Sequence, residues 1–301
     1  MSEQSVKAGV LFAIAAYGMW GFAPMYFKLM AQIPAAEILV HRIVWSVLVL
    51  VVLVLAAGHI AKVRDALRNK RVLQVLLVSG LLLAGNWWLF IWAVNNNHLL
   101  DASLGYYINP ILNVFLGRIF LGEKLRRPQQ FAVVLAIIGV SILVFSYGQV
   151  PWIALVLAGT FGVYGLLRKQ VRVDSLPGLF IESCMMLPFA IAYWFVYASD
   201  ASNMFSNDWS LNLILIGAGI VTTAPLLCFT AAARRIMYST LGFFQYIGPS
   251  IMFVLAVFLY AEPLSDERLI TFAFVWLALA IFSTDSLYAY RMNKRQSSND
   301  R

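Results

Sequence analysis

The chain is 301 residues long, 61% hydrophobic and only 12% charged, with a mean hydropathy of +0.80. Soluble domains carry about 25% charged residues, so this composition excludes a soluble globular protein and describes an integral membrane one. The formal net charge of +8 raises nucleic acid as a partner, but the placement of the basic residues, given below, fits a membrane topology and argues against that reading.

A membrane helix needs about 20 mostly apolar residues. Ten such runs are predicted in chain order: 6–27, 35–57, 73–94, 102–120, 130–147, 151–167, 177–198, 211–232, 240–260 and 267–289. The first begins near Lys7, as a secretory leader would, but it is too long and lacks a small-residue cleavage site, so it reads as a retained helix. Tyr17, Trp20 and Pro24 share one of its faces. The second run carries Glu37, His41 and Trp45 four residues apart, with Arg42 alongside. Ionisable residues inside a span cost about 2.5–3.5 kcal/mol each on insertion scales, so they need a reason to be there. Glu37 reads as a hydrated or Arg-paired carboxylate near the outer edge, or, with His41, as a proton-coupling pair. The third run holds Asn86 and Phe90 among Trp87, Trp88 and Trp92, aromatic residues that serve as walls for a solute or as packing. In the fourth, Tyr106, Asn109, Asn113 and Gly117 form one helical stripe. Gln245, Gly248 and Met252 repeat it in the ninth run. Such a stripe faces either a wet cavity or a partner helix. Glu182 and Arg118, each inside a run, read as a gate or an ion pair, with a snorkelling Arg118 as the alternative.

Prolines divide by position. Pro34, Pro128, Pro151, Pro177 and Pro263 lie in loops or first turns, whereas Pro24, Pro110, Pro188, Pro225 and Pro249 fall inside runs and predict kinks or broken helices. Small-residue rows, Ala132/Ala136/Gly139 and Gly159/Gly162/Gly165, allow close helix approach within the chain, or less readily a seam with a second copy.

The chain also repeats itself. Tyr107-Ile108-Asn109-Pro110 and Glu123 are matched, at one constant offset, by Tyr246-Ile247-Gly248-Pro249 and Glu262. Helix capping is the favoured role of both glutamates. Eighteen of the 22 Lys and Arg residues fall in the termini and the even-numbered loops, and only Lys28 and Arg268 in the odd ones. The positive-inside rule then puts both termini in the cytoplasm. Two five-span halves, 6–147 and 151–289, follow, with 290–301 as a cytoplasmic tail. An odd number of spans inverts the second half relative to the first, and inverted repeats place a binding site at their interface near the midplane. No P-loop, H-E-x-x-H or G-x-S-x-G pattern occurs, and the histidines His41, His59 and His98 do not cluster with cysteine. Neither a catalytic site, a metal nor a cofactor is therefore expected.

The segments AYGMWGFAPMYFK (16–28), EILVHR (37–42), GNWWLFIWAVNNNHLLDASLGYYINP (85–110), LGE (121–123), GIVTTAPLLCFTAAA (219–233) and STLGFFQYIGP (239–249) together resemble the EamA family of the drug/metabolite transporter superfamily. The resemblance spans essentially the whole chain. It implies an all-α inner-membrane protein of ten transmembrane helices, in two inverted five-helix repeats. It also implies a central cavity lined by spans 1, 3, 4, 6, 8 and 9, which would hold Trp20, Asn86, Trp87, Tyr106, Asn109, Tyr164, Thr222, Thr223 and Gln245. Asn113 joins these through its stripe, and Glu37, His41, Arg42 and Glu182 are the gate or coupling candidates. The expected function is secondary transport, by resemblance export, of a metabolite, amino acid or drug. Its partners would be that solute, the lipid bilayer, protons as a coupling ion and possible self-association. A membrane enzyme acting on a lipid or isoprenoid, and a channel or structural membrane protein, are the rival classes.

Overall fold

The computed structural model describes residues 3–30, 32–95, 98–146, 148, 150–259 and 266–299, the side chains of some helical residues excepted. Its elements are α1 (Glu3–Lys28), α2 (Ala35–Ala56), α3 (Ile60–Arg68), α4 (Lys70–Asn95), α5 (Leu99–Leu121), α6 (Arg127–Ser146), α7 (Trp152–Gln170) and α8 (Ser175–Tyr197). A 3₁₀ turn (Asp200–Ser202) follows, then α9 (Trp209–Ala233), α10 (Tyr238–Gln245), α11 (Ile247–Phe258) and α12 (Asp266–Asn299). Among the described residues, nine helices are long and apolar enough to cross a membrane. Their outer faces carry bare aromatic side chains such as Phe145 and Phe195, each more than 80% exposed, which only lipid can cover. This is a multi-pass membrane protein.

The ninth run is where the fold departs from one helix per run. It divides into α10 and α11 at Tyr246. Pro249 has no N–H to return to the Gln245 carbonyl, so the ladder ends at Gln245 and restarts at Ile247. Pro24, Pro110, Pro188 and Pro225, by contrast, sit within continuous helices. Two further differences concern the polar segments. The basic loop after α2 contains α3, whose Val63 and Ala66 are buried with Leu76 and Ile181 while its charges face outward. The stretch beyond 289 continues α12 as helix to Asn299. Glu262 and Pro263 lie outside the described residues.

Two sets of helices can be taken in order: α1, α2, α4, α5, α6 and α7, α8, α9, α10–α11, α12. Between the sets, α5 packs on α7 as α10 and α11 pack on α1; α4 packs on α7 as α9 packs on α1; and α4 packs on α8 as α9 packs on α2. The remaining pairs, α2 with α8, α5 with α10 and α6 with α12, join corresponding members. Small residues make the closest crossings possible. A Cβ on Gly219 would lie 2.5 Å from the Trp45 carbonyl carbon, so α2 and α9 meet backbone to backbone, where Ser46 Oγ donates to the Gly219 carbonyl at 3.2 Å. The row Ala132/Ala136/Gly139 is likewise spent within the chain, against α12, with Thr271 Oγ1 donating to the Gly139 carbonyl at 2.9 Å.

Candidate functional site

A narrow cleft opens in the middle of the bundle between α2, α4, α8 and α9. Ile43, Leu83, Leu179, Met186 and Leu226 line it with Trp87, the hydroxyls of Ser46, Ser183, Thr222 and Thr223, and Glu182. Apolar walls with a few placed polar groups are what a small-molecule site needs. At one end of the cleft Arg42 reaches across from α2. Its Nε donates to Thr222 Oγ1 on α9 at 2.8 Å, and its Cζ lies 4.9 Å from the Trp87 ring centroid and 5.1 Å from that of Phe27. The Tyr106 phenol is close enough to interact with it electrostatically. Thus Arg42, Trp87, Tyr106 and Thr222, drawn from four helices, converge on one place.

At the other end Glu182 is fully buried. The sequence offered Arg118 as its companion, but Arg118 is exposed on α5. Instead Arg168, on α7 and 0% exposed, places Nη1 3.7 Å from Glu182 Oε1, and Ser79 of α4 donates to the same oxygen. Arg168 had counted as a cytoplasmic-loop cation. The last turn of α7 carries it inward, where Gly178 leaves room for the guanidinium and Nη2 donates to the Ser175 carbonyl at 3.3 Å.

The amide donors of Asn86 and of Asn109 and Asn113 in the predicted stripe are taken by oxygens of the protein itself. Asn86 Nδ2 donates to the Leu157 carbonyl and to Thr160 Oγ1, both at 2.8 Å. Asn109 Nδ2 donates to the Ala158 carbonyl at 2.6 Å. Asn113 Nδ2 donates to Asn109 Oδ1 at 3.0 Å and to Gln245 Oε1 at 3.2 Å. In an apolar interior an amide takes whatever carbonyl it can reach, since an unmet donor costs more than the bond contributes. Trp20 and Tyr164 join Tyr17, Phe161 and Phe229 in a cluster of five rings with neighbouring centroids 5.2–6.3 Å apart. That layer fills the bundle toward the end of α9 that carries Arg234. Thr223 is buried, and its hydroxyl has no partner.

Glu37 and His41 lie together at a different rim, against α8 and the 3₁₀ turn. Glu37 Oε1 accepts from Ser199 N at 3.0 Å. His41 Nε2 faces the Ser202 carbonyl at 3.2 Å, and Nδ1 accepts from Trp45 Nε1 at 3.3 Å. This arrangement fits a neutral imidazole with its proton on Nε2.

The end near Arg234 is tied shut. Asp174, before α8, accepts from Lys62 Nζ and from Arg234 Nη1, each at 2.8 Å, joining α3, α8 and α9. These two donors hold its carboxyl at about 2, below the ordinary 3.8. Nearby, Gly122 takes φ = 64°, a left-handed conformation suited to glycine, and turns the chain after α5. Glu123 swings back against Gly117, where a Cβ would stand 2.6 Å from its Oε2. Its carboxylate accepts from Tyr238 N at 2.5 Å, Ser239 N at 2.9 Å and Ser239 Oγ at 2.7 Å, capping the N-terminus of α10. The L-G-E triplet is thus an interhelix cap. The Asp174 bridge was missed from sequence, because partners 60 and 112 residues away leave no local signal; the role of Arg168 was missed because it lies past the predicted sixth run, at the basic end of its helix.

Comparison with known proteins agrees with this architecture. The model of the EamA-like transporter family matches residues 7–145. A Vibrio cholerae protein described as an uncharacterized transporter is 54% identical, over 97% of each chain. The chain belongs to the EamA-like transporter family. It is of the RarD type: Protein RarD of Escherichia coli K12 is 51% identical over 98% of this chain and 100% of that relative. The chloramphenicol-sensitive protein RarD of Pseudomonas aeruginosa is 30% identical over 96% of this chain and 97% of its own. A solved crystal structure only 17% identical shares the fold, with a TM-score of 0.72 over 93% of this chain and 98% of the other. Membership in this family makes the chain a membrane transporter.

Proposed function

We propose that this EamA transporter is a secondary carrier that exports a small organic solute across the bacterial inner membrane by alternating access. Its two halves, 6–147 and 151–289, form inverted five-helix units, α10 and α11 together making the ninth of ten spans. Both termini and the helical tail 290–301 face the cytoplasm. One observation carries the reading: the central cleft is lined by α2 and α4 of the first set and by α8 and α9, their counterparts in the second. The packing of helices is preserved when the two sets are exchanged, which is what two inverted units about a shared midplane site require. The family match to 7–145 covers almost the whole of the first proposed unit. On this topology the Asp174 bridge and the ring layer lie on the cytoplasmic side and close it, while Arg42 stands toward the periplasm.

Proteoliposome counterflow is the test. Preloaded solute accelerates entry of the same labelled solute through a carrier, because the loaded return step is faster; a channel shows no such exchange, and an enzyme converts the solute instead. Cysteine labelling in whole cells checks the topology. Both termini should stay unlabelled by a membrane-impermeant reagent until the membrane is opened, and termini on opposite faces would end the inverted-repeat reading.

A further inference from the structure

Arg42 enters the bundle with no ion pair among the described residues. A guanidinium has five N–H donors. Thr222 takes the one on Nε, and among the described residues no protein acceptor meets the four on Nη1 and Nη2. Neither of those nitrogens is sealed from open space. Among the described residues no carboxylate pairs with it. Glu37, five residues earlier, points about 140° away around the helix and accepts from Ser199. Glu182, at the far end of the cleft, is held by Arg168 and Ser79. The Phe27 and Trp87 rings stabilise the cation by their faces, yet they supply no negative charge. An unneutralised charge at this depth is costly unless something else completes it. The guanidinium is also held in advance: Thr222 and Trp87, both in the cleft wall, and Phe27 contact it, and its two terminal nitrogens form a fork whose geometry takes a carboxylate or phosphate with two parallel bonds.

We propose that the transported solute is an organic anion. Its carboxylate or phosphate oxygens lie on the Arg42 fork beside Tyr106, and its apolar body lies along Trp87 toward Ile43 and Met186. This rests on the cleft being the transport site.

Purified protein in detergent is titrated calorimetrically with 3-phenylpropionate, its amide 3-phenylpropionamide and its amine counterpart 3-phenylpropylamine. Dihexanoyl phosphatidylglycerol supplies a lipid-phosphate arm. The acid should bind at least about tenfold more tightly than amide or amine, the margin a charge-assisted bond contributes. Arg42→Gln should erase that preference, Arg42→Lys should keep part of it, and Thr222→Val should reduce it less than Arg42→Gln does. Amide or amine binding that equals the acid's, an acid preference that survives in Arg42→Gln, Arg42 dependence confined to the lipid arm, or no binding of the acid overturns the proposal. Should Arg42→Gln fail to assemble, phenylglyoxal modification of the wild-type Arg42 peptide, read by mass spectrometry, decides instead. Protection by the acid and not the amide supports the inference, and equal or no protection overturns it. Counterflow separates the two readings. Exchange of the amine but not the acid leaves transport standing and removes the anion, whereas Arg42-dependent acid binding without any counterflow does the reverse.

Discussion

Two arginines enter the interior of this bundle, and their surroundings are opposite. Arg168 is fully buried and faces a carboxylate, Glu182, that is buried with it. Arg42 is half-buried and, among the described residues, meets a hydroxyl and aromatic faces but no carboxylate. A paired guanidinium is a structural element, because removing either partner strands the other charge. An unpaired one that still has room beside it is, on the proposal above, a receptor. On that proposal the same side chain does different work according to whether the fold supplies its counter-charge or leaves it to the solute.

The largest expected effect breaks the structural pair. Arg168→Met leaves Glu182 buried without a cation, a loss of about 3–5 kcal/mol, which a fall in melting temperature would register. Adding Glu182→Gln should restore part of it, and a double variant as unstable as the single would mean that packing rather than charge is at stake. Next comes Glu123→Ala, which deletes the cap of α10. The loss of its bonds to Tyr238 and Ser239 should cost about 1–2 kcal/mol in the same measurement. Arg42→Gln should change stability by less than either, since no carboxylate is stranded, so its effect belongs in binding.

The Asp174 bridge gives a smaller, pH-dependent effect. Its carboxyl sits at about 2 in the folded protein against 3.8 ordinarily, so its contribution is complete above 3.8 and is lost as pH falls through about 2. The difference in melting temperature between the wild type and Asp174→Asn should be constant above about pH 5 and should shrink below pH 4. With the carboxylate 44% exposed the gap is modest, within about 1 kcal/mol, as for surface pairs. Smallest of all is the change expected at His41. Both of its nitrogens are met by protein groups, and transport by His41→Ala should keep its pH profile. A flattened profile would restore the imidazole as a proton carrier.

How far the sequence could be read varied with the range of the interaction. Nine of the ten predicted runs coincide with helices long and apolar enough to cross a membrane, because a hydrocarbon layer demands about 20 apolar residues whatever surrounds them. The motif Tyr-Ile-x-Pro was legible as a repeat but not in its outcome. Around Pro110 the helix is continuous, with Asn109 anchored to the Ala158 carbonyl on α7, whereas Gly248 before Pro249 offers no side chain to anchor and the ninth run breaks at Tyr246. The stripe of amides was visible too, but both a wet face and a helix contact fit it, and only the positions of Leu157, Ala158 and Gln245 decide where those donors go.

By itself the sequence determined membrane residence, the apolar runs and the family, all properties of local composition and of contiguous segments. The tertiary structure alone decided which charges are neutralised. Pairing Arg168 with Glu182 and leaving Arg42 without a carboxylate among the described residues depends on which helix faces which across the bundle, and electrostatic energy in a low-dielectric interior is set by distances of a few ångströms that no spacing along the chain encodes.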